Sequence, residues 1–131
     1  MLIVKPVEEK SKQEEFCKIC GAEYDADALT YAAYESETLL GICQFALHTG
    51  YAVILDLKPV PGVRDFEAMF ILARGTLNFV DLCGIHFAKC ENDAGDLTLI
   101  HAVGFAESHD GVLEMDLTHA FDGHCGGCKE I

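Results

Sequence analysis

A chain of 131 residues, half of them apolar, can bury one core and is too short for two ordinary domains. Its net charge of -13, from 9 Lys and Arg against 22 Asp and Glu, argues against nucleic acid, whose phosphates need clustered bases. No apolar stretch is long enough for a signal peptide or a membrane span, so the expectation is a soluble cytoplasmic protein with no membrane partner, whose seven cysteines are thiols or metal ligands.

Taken in chain order, residues 2–7 read as a short strand and 8–15 as a solvated helix that ends near Cys17 and Cys20, with Gly21 as its stop. Residues 29–35 and 39–47 then form a hairpin through Ser36 and Glu37, and 51–57 is a third apolar run suited to a central strand. Phe66, Met69, Phe70, Ala73, Leu77 and Val80 fall at helical spacing, which predicts a deeply packed helix over 65–83, closed by Gly84. Residues 85–90 read as a strand, Asn92 or Asp93 as the cap of a second apolar helix over 94–103, and Gly104 as its end. A hairpin through His109, Asp110 and Gly111 leads to a half-buried last strand over 112–117.

Two C-x-x-C pairs stand at the ends of the chain, Cys17 with Cys20 and Cys125 with Cys128, the latter from about residue 119 in a Cys-containing tail. A two-residue gap lets both sulfurs face one ion, so Cys17, Cys20, Cys125 and Cys128 are candidate ligands of a tetrahedral zinc. Most of the chain separates the pairs, and they share an ion only if the fold brings the ends together. Free thiols, or separate sites helped by His119 or His124, are the competing readings. A thioredoxin-like redox motif needs a strand before it and a helix after it, which neither flank offers. Cys43, Cys83 and Cys90 lie in apolar runs and read as small buried hydrophobes.

The element order, with Leu40-Gly41 in a hairpin strand, Leu55-Asp56-Leu57-Lys58-Pro59 before the long helix, and Val103-Gly104-Phe105 at the end of the next, resembles the GNAT superfamily of acyl-CoA-dependent N-acyltransferases. The resemblance implies an α/β (α+β) domain spanning 1–131, with a mixed, mostly antiparallel central sheet and helices on both faces. It also implies acetyl-CoA lying in a splay between the 51–57 and 85–90 strands, its pyrophosphate on the N-terminus of the long helix. Leu57, Val63, Arg64 and Phe66 would then bind the cofactor, and the acceptor would be a small-molecule or peptide amine.

The chain departs from that family's loop pattern Q/R-x-x-G-x-G/A. Counted from Pro59, the glycine positions hold Asp65 and Glu67; counted from Pro61, Arg64 matches, but the glycines become Glu67 and Met69. Side chains there keep phosphate from the backbone N–H groups, and carboxylates at a helix start complement its dipole instead. The tyrosine that many members place four residues before the Gly-Phe pair is Ile100 here, which cannot donate a proton. His101 points elsewhere on the helix, and neither Asp56 nor His86 is singled out by spacing as a base. Two readings follow: a divergent acyltransferase with a degenerate loop, or a non-catalytic binding or regulatory module on the same fold. Apolar strand surface would suit a homodimer, but no residue pattern fixes one.

Overall fold

The computed structural model of the chain describes residues 1–121. Among them the order is β1 (Leu2–Pro6), α1 (Lys10–Cys20), β2 (Leu29–Glu35), β3 (Thr38–His48), β4 (Tyr51–Pro59), α2 (Phe66–Leu82), β5 (Phe87–Cys90), α3 (Leu97–Val103), β6 (Ala106–Glu107) and β7 (Leu113–Asp116). The seven strands form one sheet in the order β1-β2-β3-β4-β5-β7-β6. Every neighbouring pair is antiparallel except β4 and β5. The long α2 makes the crossover that such a parallel pair requires. Among the described residues no helix is long and apolar enough to cross a membrane.

Strand alternation sends successive side chains to opposite faces, and each face has its own helices. Ala33, Cys43 and Phe45 pack with Leu72, Leu77 and Val80 of α2 and Leu99, Ile100 and Val103 of α3. Ala32 and Ile42 point the other way, against Cys17 and Cys20 of α1. The expected mixed, mostly antiparallel sheet covered on both faces is therefore what the residues build. Gly41 lets α2 approach closely: a Cβ there would lie 2.5 Å from the sulfur of Met69 and 2.9 Å from the Lys58 carbonyl.

Two polar ties fasten the layers. Gln44, fully buried on β3, accepts hydrogen bonds from Gln13 Nε2 (3.0 Å) and the Asp25 amide (3.1 Å) and donates to the Glu23 carbonyl (2.9 Å) and Asp56 Oδ2 (2.8 Å). This one side chain joins α1, the segment after it, β3 and β4. On the other face Arg74 donates to the carbonyls of Val103 (3.0 Å) and Ala120 (2.9 Å), and its guanidinium lies 4.8 Å from the Phe121 ring centre.

Several boundaries differ from the sequence reading. The first helix starts at Lys10 rather than residue 8, β4 runs on to Pro59, and β5 begins at Phe87 rather than 85. The largest difference is at α3, which starts at Leu97 with Asp96 as its cap, not at 94 with Asn92 or Asp93. Ala94 is buried and Gly95 faces Leu57, so this stretch is committed to a tertiary contact instead of a helical turn.

Of the cysteines in the described residues, Cys17, Cys20, Cys43 and Cys90 are buried, while Cys83, expected to be buried with its apolar run, is exposed because it caps the end of α2. Burial pushes the Cys17 and Cys20 thiols up to about 11 and those of Cys43 and Cys90 up to about 12. In a Cys125→Ser/Cys128→Ser background, Ellman's reagent at pH 8 should modify Cys83 quickly and the other four only on unfolding. Because these thiols hold their protons more tightly when folded, their contribution to stability should be constant below the ordinary thiol value of 9.0 and be lost as pH rises from there through about 12. Replacing Gln44 with Leu should cost roughly 3 kcal/mol in urea unfolding, since it strands the buried Gln13 and Asp56 side chains and two part-buried main-chain groups between them.

Candidate functional site

The site is set by how β4 ends. Gln44 faces Asp56 while Phe45 faces Ile54, which makes Leu55 an extra residue on β4, a β-bulge. Past the bulge, Asp56 turns to the α1 face, where it meets Gln44, and Leu57 packs into the core beneath α2. Strand β5 pairs with β4 only as far as Ile54 and Cys90, so among the described residues the last stretch of β4 has no strand beside it on that edge.

All four residues expected to bind the cofactor meet in one place. Leu57, Val63, Arg64 and Phe66 line a cavity of about 330 Å³ at the head of α2, with Pro59, Asp65, Met69, Asp96 and Leu99. Its charges, among the described residues, are one guanidinium and two carboxylates. Asp65 caps α2, its Oδ1 accepting from the Ala68 amide at 3.0 Å, and Glu67 stands in the first turn. Asp96 caps α3 in the same way through the Thr98 amide at 3.2 Å. At the helix start that would receive a pyrophosphate, the Ala68 amide is therefore already taken by a carboxylate.

The strand edge is equally committed. The Leu57 amide donates to the Ala94 carbonyl at 2.8 Å, and a Cβ on Gly95 would lie 2.2 Å from the Leu57 carbonyl oxygen. The Val60 amide reaches back to Leu40 on the β3 side, so by alternation Pro59 faces outward like Leu57, and proline has no N–H to offer. An acyl-CoA lying along this edge would find no free main-chain donor at either position. At Leu57 and Pro59 the edge therefore lacks the main-chain donors that the resemblance implies for the cofactor.

A second cavity, of about 580 Å³, opens on the α1 face of the same strand. Glu23, Asp25, Asp56, Glu91 and Asp93 line it, with Lys58 the one cation among the described residues, and Gln44 lies at its wall. Asp56 is 7% exposed and held by Gln44 and by Lys58 Nζ at 3.0 Å, so its carboxylate is already paired. Sequence reasoning missed this cleft, because its acids come from three distant segments that only the fold assembles. The bulge is what brings Asp56 among them.

The remaining candidates lie apart. Ile100 is 1% exposed in the core, and an isoleucine side chain carries no hydroxyl to replace the family's tyrosine there. His101 points outward to Glu107 at 2.9 Å, and the hydrogen bond it gives holds the Glu107 carboxyl below the usual range. His86 is exposed with Asp81, at the opposite end of β5 from the splay. Cys17 donates its S–H to Gln44 Oε1 at 3.5 Å, a proton that a zinc-bound thiolate lacks. Cys125 and Cys128 lie outside the described residues. Among the described residues no three metal-ligating side chains gather to hold an ion.

Comparison by sequence finds no matching family model and no matching curated protein. Comparison by structure finds many acetyltransferases. The IAA acetyltransferase from Bacillus cereus ATCC 14579 superposes with a TM-score of 0.72 at 13% identity, covering 89% of this chain and 100% of its own. A GNAT family acetyltransferase from Brucella melitensis in complex with acetyl-CoA gives 0.67 at 14% identity, covering 88% of each chain. The spermidine/spermine N-acetyltransferase SpeG from Vibrio cholerae gives 0.67 at 8% identity, over 91% of this chain and 96% of its own. These superpositions, over nearly the whole of each molecule, show that the chain has the GNAT fold.

Proposed function

We propose that this chain is a non-catalytic binding module on the GNAT fold, with a small-molecule or peptide amine as its ligand. The observation that carries the reading is the contrast between the two sides of β4. On the donor side, carboxylates stand at the head of α2 and an isoleucine stands where a general acid would be needed. On the acceptor side the acidic cleft remains open, and its excess of carboxylates over Lys58 favours an ammonium group. SpeG, which shares the fold, acts on spermidine and spermine, polyamines of that charge.

One observation favours a second reading, a divergent acyl-CoA-dependent N-acyltransferase: Arg64 and three apolar residues still line a cavity at the head of α2. The two readings part on a pair of titrations. The module predicts that spermidine binds at low salt and weakens roughly tenfold when Glu91→Gln and Asp93→Asn are combined or when salt is raised. It also predicts that millimolar acetyl-CoA gives no binding heat, and that a mixture of the two yields no acetylated amine by mass spectrometry. Micromolar acetyl-CoA affinity that falls on Arg64→Glu, together with acetylated product, would establish the acyltransferase instead.

A further inference from the structure

Among the described residues the outward edge of β4 has no neighbouring strand beyond Ile54, and a bare edge must satisfy its polar groups somehow. In this chain the next segment does so. After Cys90 the backbone does not leave the sheet at once: the Glu91 amide donates to the Ile54 carbonyl at 3.0 Å, the Ala94 amide to the Glu91 carbonyl at 3.0 Å, and the Leu57 amide to the Ala94 carbonyl at 2.8 Å. The first and last of those bonds fall on β4, one on each side of the bulge, and the middle one closes the turn between them. Gly95 then lies so close to Leu57 that a Cβ on it would sit 2.2 Å from the Leu57 carbonyl oxygen, so any side chain would collide there. Ala94 is fully buried, so the contact is part of the core.

We propose that the 91–96 turn is a strap that takes the place of an extended ligand on β4, closing the strand edge to acyl-CoA with the chain's own backbone. Pro59 completes the closure, since it removes the next outward N–H. The helical start that the composition of 92–96 suggests is given up for this contact, which is why α3 begins late at Leu97. The inference goes beyond the binding-module reading, because it concerns only the donor edge and stands whether or not an amine enters the acidic cleft.

Amide hydrogen exchange on the isotope-labelled full chain tests the strap directly. The Leu57 amide should exchange at least about 100-fold more slowly than in an unfolded chain, and millimolar acetyl-CoA should leave its rate and chemical shift unchanged. In Gly95→Val the turn must lift, so Leu57 should lose that protection while Ile42 and Phe45, deep in the sheet, keep theirs. Rapid exchange of Leu57 in the native chain, a shift of its resonance with acetyl-CoA, or undiminished protection in Gly95→Val would each overturn the proposal. Should Gly95→Val fail to fold, the first two measurements on the unaltered protein still decide it.

Discussion

The hydrogen bond from Gln44 to Asp56 spans the bulge in β4, and the rest of the molecule is arranged around it. Because Leu55 is an extra residue, the strand changes its facing there. The bond at 2.8 Å fixes Asp56 on the α1 side and so leaves Leu57 to the core beneath α2. The same amide receives Gln13 and the Asp25 main chain, which seats α1 and the segment that forms the far wall of the acidic cleft. A single buried side chain thus decides the docking of a helix, the shape of a cavity and the direction of a strand edge. Buried networks of this kind specify one arrangement because every member loses its partner in any other.

The two faces of β4 have opposite chemistry, and the contrast is electrostatic before it is anything else. On the α1 side, among the described residues, five carboxylates meet one lysine around a wide opening. On the α2 side the cavity is apolar in most of its lining, but its polar members are again mostly acids, and the helix dipole there is complemented by Asp65 and Glu67. A polyanion approaching either opening of a chain with net charge -13 works against the field of the whole molecule, while a cation is drawn toward it.

Much of the architecture was legible because its signals are local. The 29–35 strand, the helical spacing from Phe66 to Val80, and Gly21 as a stop all follow from periodicity and backbone freedom, and each stands where expected. Asp65 was legible as a helix-start carboxylate for the same reason. The four residues around the α2 head were legible only through the resemblance, which supplied a placement that spacing alone could not. What stayed hidden depends on contacts between distant segments. Ala94 and Gly95 look like the first turn of a helix, with capping residues before them, and a tertiary hydrogen bond to Leu57 overrides that local preference. The acidic cleft left no trace in the sequence, since Glu23, Asp56 and Glu91 become neighbours only after β4 and α1 are in place.

The closed edge of β4 has a further consequence for life in a crowded solution. A length of strand with free amides and carbonyls is a template on which a strand from another molecule can grow, and such edges are where sheets begin to aggregate. Here the Ala94 carbonyl occupies one outward amide and Pro59 withholds the next, so at these two positions β4 offers an intruding strand no amide to pair with. The contact of residues 91–96 with β4 therefore leaves the sheet better guarded against self-association through its middle than an uncovered edge would be.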